Sequence, residues 1–280
     1  MSHSPVDWQE MLSFDQSKLQ DFVDCPRRFY LKHIRQLHYP APDSAPLRDF
    51  EESMERGAQF HHLIHQHQIG IPAEALAETI PDDMMDTWWE HYLRYALVDL
   101  PARRFPEITL SAPLAGRRLV AKYDLLAIGE SAVIVDWKTA HNRPKRERLQ
   151  RRLQTVVYPY LLAKAGAHLN SGSLIAPDAI TMIYWFAEYP QQPEIFTYST
   201  AQFEADGAYL EALAADILRR GDNDFPLTDN LDLCRFCAYR SLNDRGAKAG
   251  NLLAVDEDNE GNNDNFDIDL DLDQIAEIEF

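Results

Sequence analysis

The 280-residue sequence has little of what defines several protein classes. Its three cysteines, Cys25, Cys234 and Cys237, are too few for the disulfide framework of a secreted domain. No apolar run approaches the ~20 residues that cross a bilayer, and the first residues lack the basic start and apolar core of a signal peptide. No G-x-x-x-x-G-K-[ST] motif encodes a P-loop motor. We therefore expect a cytoplasmic protein with no membrane partner.

Net charge gives a misleading first impression of this chain. The total of −18 argues against nucleic acid as a partner, because phosphate-binding proteins usually carry an excess of Lys and Arg. However, 11 of the 45 acidic residues lie in residues 251–280, which contain no Lys or Arg. The other 34 face 27 basic residues, so residues 1–250 carry only −7. We expect 251–280 to be a disordered acidic tail that competes for a basic groove or binds a partner.

Hydrophobic periodicity divides the rest of the chain into three parts. The first hundred residues show helical spacing, and the middle changes to strands over Ile108–Leu114, Arg117–Ile128 and Ala132–Lys138. A helix is expected from Glu147 to Lys164, followed by two more strands, a helix over 201–220 and a segment with two cysteines. The sequence thus predicts a helical preface, a mixed α/β core and a closing cysteine segment.

Two acidic residues of the middle segment should meet across a hairpin. If the turn is centred on Glu130, residue n faces residue 260 − n, which places Asp124 opposite Asp136 with Cβ atoms ~5 Å apart. Lys138 points to the same face because strand side chains alternate. Two adjacent carboxylates favour a divalent cation such as Mg²⁺, and Lys138 could then activate water or stabilise phosphorane charge. This chemistry suits phosphodiester hydrolysis.

An ordinary cross-strand ion pair between Asp124 and Lys138 at a solvated edge is the alternative interpretation. Asp-x-Lys is a common pattern, and spacing alone does not separate the two interpretations. The apolar run AVIV before Asp136 favours an active site, because charged residues at the end of a buried strand need partners.

The segment KYDLLAIGESAVIVDWKTA resembles motifs II and III of the PD-(D/E)xK nuclease superfamily. Four other segments resemble its RecB-type branch, which includes the CRISPR-associated exonucleases. They are SKLQDFVDCPRRFYLKHI near the N-terminus, ERGAQFHHLIH as motif I, LQTVVYPYLLA as the Gln-x-x-x-Tyr motif and CRFCAYRSLNDRG as the C-terminal cysteine segment. The resemblance extends from about Ser17 to Gly246.

The resemblance implies a fold and its boundaries. The fold is α/β, with a restriction-endonuclease-like core in which helices flank a mixed central sheet. Residues 1–250 would form a single nuclease domain, with a helical preface over about 15–100, a catalytic core over about 105–220 and a cysteine segment over about 225–248.

The resemblance also implies the roles of individual residues. His61, Asp124 and Asp136 would bind the metal, with His62 as the spare candidate, and imidazole beside carboxylates extends the choice from Mg²⁺ to Mn²⁺. Lys138 would be the catalytic lysine, near the main-chain carbonyl of Trp137. Gln154 and Tyr158, one helical turn apart, would complete the catalytic set together with Asp124 and Asp136 and help to position DNA. For the last pair, a half-buried helix with a polar rim is the structural alternative.

Residues 141–152, HNRPKRERLQRR, carry six basic residues and one glutamate. Because this segment follows Lys138 directly, it would place positive charge at the mouth of the site and contact the DNA backbone without reading sequence. Arg103, Arg104, Arg117 and Arg118 would extend this surface. The predicted DNA-binding residues are Arg143, Lys145, Arg146, Arg148, Arg151 and Arg152.

The cysteines depart from the pattern of the related nucleases. Many of those hold a [4Fe–4S] cluster with four cysteines, and here Asn243 replaces the fourth. Cys25, Cys234 and Cys237 could hold a cluster with one unusual ligand, a three-iron form, a zinc ion or no metal. In each case we expect Cys25 to lie near the other two.

The function that follows is a metal-dependent DNA nuclease, an exonuclease or structure-dependent enzyme acting on single-stranded ends in DNA repair, recombination or defence. Any helicase partner would act in trans. The rival interpretation is a catalytically inactive nuclease fold that serves as a DNA-binding or scaffold subunit of a helicase–nuclease complex. The intact candidate residues favour the enzyme.

Overall fold

A computed structural model of the chain describes residues 8–37, 45–96, 99–234 and 237–244. The acidic tail predicted over 251–280 lies outside the described residues. The α-helices are α1 (Trp8–Met11), α2 (Gln16–Asp24), α3 (Pro26–Phe29), α4 (Ala45–Gln68), α5 (Ala73–Ala77), α6 (Asp83–His91), α7 (Arg146–Gln150), α8 (Leu153–Ala165) and α9 (Thr200–Arg219). π-Helical turns follow α3 and α6 at Tyr30–Ile34 and Tyr92–Ala96. Short 3₁₀ helices occupy Gly166–Asn170, Pro177–Ala179, Leu231–Cys234 and Ser241–Asn243.

A five-stranded mixed sheet forms the centre of the fold. Its strands are β1 (Arg103–Leu114), β2 (Arg117–Ile128), β3 (Ala132–Lys138), β4 (Ile180–Phe186) and β5 (Glu194–Thr197), and they follow one another in sequence order across the sheet. β3 and β4 are parallel and the other neighbours are antiparallel. Because parallel neighbours need a long crossover, α7 and α8 are placed between them.

Turn geometry sets the register of the first two strands. Ala115 and Gly116 connect β1 to β2 with φ angles of 47° and 73°. Two successive positive φ angles are typical of the tight turns whose twist matches that of a hairpin, and glycine adopts the second without strain. The register continues from Leu114 opposite Arg117 to Arg103 opposite Ile128.

The helix predicted from Glu147 to Lys164 is instead two helices. α7 ends at Gln150 and α8 begins at Leu153, and Arg152 between them is extended, with ψ 141°. Leu149 and Leu153 are both buried in the core, one on each side of the break. The hydroxyl of Thr155 bonds the carbonyl of Leu149 at 2.6 Å across the break.

The sheet is buried on both faces. Successive strand residues point to opposite sides, so Leu126 and Ile134 pack in one core while Leu125 and Val135 pack in the other. The first core contains side chains of α2, α3, α8 and α9, and the second contains α4 and α6. Each of the two cores therefore packs against one face of β2 and β3, the strands that carry Asp124 and Asp136.

Aromatic packing joins the two ends of the described chain. Phe225 is fully buried and lies 5.0 Å from Tyr30, 6.1 Å from Phe29 and 6.2 Å from Trp8 between ring centroids. The amide of Arg27 donates to the carbonyl of Pro226 at 3.0 Å. The segment after α9 thus packs against the N-terminal helices.

The architecture confirms the predicted fold class, an α/β core in which helices flank a mixed central sheet. The boundaries of a single nuclease domain over residues 1–250 stay a prediction. Within the part of the chain that the structure describes, no helix combines the length and apolar character needed to cross a membrane.

Candidate active site

The hairpin of β2 and β3 has the register expected from its turn. Leu125 faces Val135 and Ile128 faces Ala132, as the 260 − n rule predicts. Strand pairing ends at Leu125, and the carboxylate of Asp124 accepts a hydrogen bond from the amide of Trp137 at 2.8 Å instead. The side chain of Asp124 therefore occupies the gap where the two strands separate.

Glu107 is a site residue that the sequence interpretation missed. It lies on β1 between the pairs Pro106–Leu125 and Ile108–Tyr123, so it faces Asp124, and its φ of 53° interrupts the ladder there. A left-handed conformation is uncommon for a residue with a side chain, and such strain concentrates at functional sites. The turn at Ala115-Gly116 could have revealed this pairing, because it places residue n opposite 231 − n.

His61, a residue of α4, also approaches the carboxylate of Asp124. It lies on α4, where the neighbouring Phe60 and Ile64 are buried in the second core, and its Nδ1 is 3.5 Å from Oδ1 of Asp124. His62, the spare candidate, is exposed. Burial lowers the pKa of His61, but the charges of Asp124, Asp136 and Glu107 outweigh burial and raise it to about 9.

One donor atom from each of His61, Glu107 and Asp124 lies within 4.8 Å of the others. Two carboxylates and an imidazole form a donor set suited to Mg²⁺ or Mn²⁺. The pKa of Asp124 illustrates the balance of charge: burial raises it, yet His61, the amide of Trp137 and Lys138 lower it overall. The residues present therefore fit a divalent metal ion.

Asp136 and Lys138 meet a buried glutamine beside this group. The Nζ atom of Lys138 is 2.9 Å from Oδ2 of Asp136 and donates to Oε1 of Gln154 at 3.2 Å. The amide nitrogen of Gln154 donates to Oδ1 of Asp136 at 2.6 Å. Asp136 lies outside the group of three donors, and its role as a metal ligand stays a prediction.

Tyr158 lies one turn beyond Gln154 but its hydroxyl has a different environment. It accepts a hydrogen bond from Gln16 on α2 at 3.3 Å, while the main-chain carbonyl of Tyr158 accepts one from Tyr123 at 2.9 Å. These contacts join α8 to α2 and β2. The catalytic role expected for Tyr158 stays a prediction.

The predicted DNA-binding segment divides into two sets of side chains. Arg143 and Arg146 both form ion pairs with the buried Glu194 on β5. Arg146 is exposed despite this ion pair, as are Lys145, Arg148 and Arg151, and Arg152 is half-buried. Arg143 and Arg146 thus share one acidic partner on β5.

The proposed extension of the basic surface is not a single patch. Arg103 and Arg117 lie at opposite ends of the β1–β2 hairpin, ~36 Å apart at the usual rise per residue. Arg103 donates to the carbonyl of Leu169, and Arg117 donates to the carbonyl of Gln9. Arg104 lies at the same end of the hairpin as Arg103, and Arg118 lies at the same end as Arg117. The two pairs of arginines are therefore separated by the length of the hairpin.

The three cysteines lie close together, as expected. Burial raises the pKa of the Cys237 thiol, and the neighbouring Cys25 and Cys234 raise it further. Three thiolates are one fewer than a [4Fe–4S] cluster usually takes, and the amide of Asn243 supplies none. The residues present do not fit a four-thiolate cluster, and we assign no role to one.

Comparison with known proteins supports the same fold. A family model described as the PD-(D/E)XK nuclease superfamily matches residues 13–242. No curated protein matches the chain significantly. The crystal structure of a "Putative exonuclease" from Eubacterium rectale has a TM-score of 0.52 and 11% identity, covering 84% of this chain and 93% of that one. A structure of SSO0001 has a TM-score of 0.38 and 12% identity, covering 82% and 84%. At such identities, the first likeness concerns the fold alone and the second carries no argument.

Proposed function

The chain belongs to the PD-(D/E)XK nuclease superfamily, and we propose that it is a metal-dependent deoxyribonuclease that degrades DNA from single-stranded ends. The observation that carries the proposal is the convergence of His61, Glu107 and Asp124 within 4.8 Å, beside the ion pair of Asp136 and Lys138. These side chains come from α4 and three strands. Side chains brought together from separate elements in this way are suited to metal-dependent cleavage of a phosphodiester bond.

In the proposed reaction one set of side chains binds the metal ion and another acts on the attacking water and the phosphate. His61, Asp124 and Glu107 would hold a divalent ion, with Asp136 as the further candidate ligand, and the ion supplies Lewis acidity and a bound water of lowered pKa. Lys138 would orient the attacking water or stabilise the negative charge that develops on the phosphate. Gln154 bonds both Asp136 and Lys138, so it would keep the ammonium directed at the reacting atoms.

DNA is the proposed substrate because basic residues follow the catalytic lysine. Exposed guanidinium groups of Arg148 and Arg151, on α7 and directly after it, would neutralise backbone phosphates without base contacts. The proposal includes the RecB-type branch and a cytoplasmic role in DNA repair, recombination or defence. Any helicase would act in trans, since the sequence has no P-loop motif.

Cleavage of end-labelled oligonucleotides tests the proposal. Single-stranded DNA, double-stranded DNA and single-stranded RNA are incubated with Mg²⁺ or Mn²⁺ and with the wild type, Asp124→Asn or Lys138→Ala. We expect the wild type to shorten single-stranded DNA, and each variant to cleave at least ~10³-fold more slowly. Asp178→Asn is the matched control, because Asp178 bonds the exposed Thr200 away from the site.

Three outcomes would contradict the proposal. Equal cleavage by the wild type and both site variants would indicate a contaminating nuclease. DNA binding without cleavage under any metal condition would favour the scaffold alternative. Cleavage of RNA alone would change the substrate class.

A further inference from the structure

Segment 139–152 connects the strand that carries Lys138 to the helix that carries Gln154, and a buried glutamate holds it. We propose that Glu194 is a positioning residue of the active site, and that Arg143 and Arg146 hold this segment in place instead of contacting DNA. The inference rests on the proposed nuclease function. It also revises the roles that the sequence predicts for these two arginines.

Both oxygens of Glu194 are occupied by arginines. Arg143 Nη2 pairs with Oε1, and Arg146 Nη1 pairs with Oε2 at 2.7 Å. Glu194 is only 8% exposed, so its charge is compensated by these two guanidinium groups at a site largely removed from water. Removing either partner would leave a buried charge less well matched.

Further contacts fix the orientation of each guanidinium group. Arg143 Nε donates to the carbonyl of Gln192 at 3.0 Å, and Arg146 Nη2 donates to the carbonyl of Ile195 at 2.9 Å. The guanidinium carbon of Arg146 is 4.2 Å from the ring centroid of Phe196. Two of the five N–H donors of each guanidinium group are therefore engaged by protein oxygens, which fixes the orientation of the group.

The contacts continue from Glu194 toward the catalytic lysine. Glu194 faces Tyr184 in the β4–β5 register, and Lys138 Nζ lies 5.6 Å from the centroid of the Tyr184 ring. The hydroxyl of Tyr184 bonds Thr155 on α8 at 2.7 Å, next to Gln154. One side chain of β4 thus lies beside Lys138 and bonds the residue that follows Gln154.

The start of the segment is held by the same pair of strands. The amide of Ala187, after β4, donates to the carbonyl of Lys138 at 2.8 Å. The hydroxyl of Tyr189 donates to the carbonyl of His141 at 2.8 Å. Anchors at Lys138, His141, Arg143 and Arg146 leave little freedom before α7. A small displacement here would be transmitted to Lys138 and Gln154.

Kinetic measurements on two single variants and their double variant test whether Glu194 and Arg146 position the active site. For Glu194→Gln, Arg146→Ala and the double variant, kcat and KM are measured on single-stranded DNA at a temperature where circular dichroism shows all of them folded. We expect kcat to fall about 10-fold in each single variant, with KM nearly unchanged. The double variant should be no slower than the slower single one, because both changes break the same contact.

DNA affinity at several salt concentrations provides the second measurement, made without divalent metal. Arg151→Ala is compared with Arg146→Ala, because both arginines are exposed and Arg146 is paired with Glu194. We expect Arg151→Ala to make the salt dependence shallower by about 0.7, the value for one phosphate contact on single-stranded DNA, and Arg146→Ala to change it less. An equal or larger change in Arg146→Ala would overturn the inference.

The kinetic result has its own contrary outcome. An active wild type with unchanged kcat in Glu194→Gln would refute the positioning role while leaving the nuclease function intact. An inactive wild type would instead refute the proposed function, and the inference would fail with it.

Discussion

The Asp21 region near the N-terminus and the active site both bring carboxylates together with basic groups, and these basic groups differ in number and origin. In the N-terminal region, Asp21 is fully buried and faces Arg28 at 2.7 Å, Lys32 at 3.0 Å and His33 at 2.8 Å. We call these four residues the Asp21 cluster. One carboxylate there meets three basic groups from one short stretch of chain, so its charge is satisfied locally.

The active site has the opposite balance. Glu107, Asp124 and Asp136 lie on three strands, and the groups opposite them are Lys122 at 2.9 Å, His61 at 3.5 Å and Lys138 at 2.9 Å. Lys122 is 49% exposed, and His61, with its pKa raised to about 9, carries a charge at neutral pH that it must lose before it can bind a metal ion. In the Asp21 cluster the carboxylate is matched by cations of its own segment, whereas the three carboxylates of the active site come from three strands and offer oxygen ligands to a divalent ion.

Removing each acid should separate these roles most clearly. Asp21→Ala leaves three basic groups without their buried counter-charge, so we expect a loss of about 3 kcal/mol in the free energy of unfolding. Asp124→Asn should lower the free energy of unfolding much less, because it also relieves repulsion between Asp124 and the carboxylates of Glu107 and Asp136. Urea denaturation measures both losses, with Asp86→Ala, at an exposed position of α6, as control. Equal losses in Asp21→Ala and Asp124→Asn would break the comparison.

Metal ions should stabilise the folded protein by binding at the active site and not at the Asp21 cluster. With Mn²⁺ at about 100 times its dissociation constant, the wild type should gain about 2.7 kcal/mol, measured by denaturation with and without the ion. Glu107→Gln should lose much of this gain, since it removes one of the three clustered donors. A gain that persists in Glu107→Gln but disappears in Asp21→Asn would reverse the assignment of the two regions.

Acid should weaken the Asp21 cluster. Burial raises the pKa of Asp21, but the hydrogen bond from His33 and the charges of Arg28 and Lys32 outweigh it and lower the pKa to about 2. The folded pKa is below the unfolded value of about 4, so this stabilisation is complete above pH 4 and is lost as the pH falls toward 2. Its size is about 2 kcal/mol.

Stability of the wild type and Asp21→Asn at several pH values checks this expectation. The difference between them should shrink between pH 5 and pH 2, because protonation removes the charge that asparagine lacks. A difference that stays constant over this range would show that the charge of Asp21 contributes nothing to the pH dependence.

The sequence predicted the central hairpin well, because its register depends on local geometry. The turn around Glu130 and the period of two along strands predict the observed pairs from Ile128–Ala132 to Leu125–Val135. The pairing of Asp124 with Asp136 lies one step beyond the last of these pairs and stays a prediction. The choice of His61 over His62 also agrees with the structure, where His61 approaches Asp124 and His62 is exposed.

Other features depend on contacts between distant segments. Glu107 has an uncommon backbone conformation that no local pattern indicates, and its place opposite Asp124 follows from a second hairpin. Arg143 and Arg146 look like members of a solvated basic run until β5 brings Glu194 beside them. The helical spacing of residues 147–164 likewise does not predict the break between α7 and α8.

By itself, the sequence determined the order of elements, the hairpin that presents two aspartates and a lysine, and the family to which the chain belongs. These follow from short-range periodicity, turn chemistry and motif spacing. Only the tertiary structure decided which third acid joins the site and which arginines are already ion-paired. Both outcomes depend on residues about 17 to 50 positions apart, whose meeting is set by strand pairing and core burial rather than by local preference.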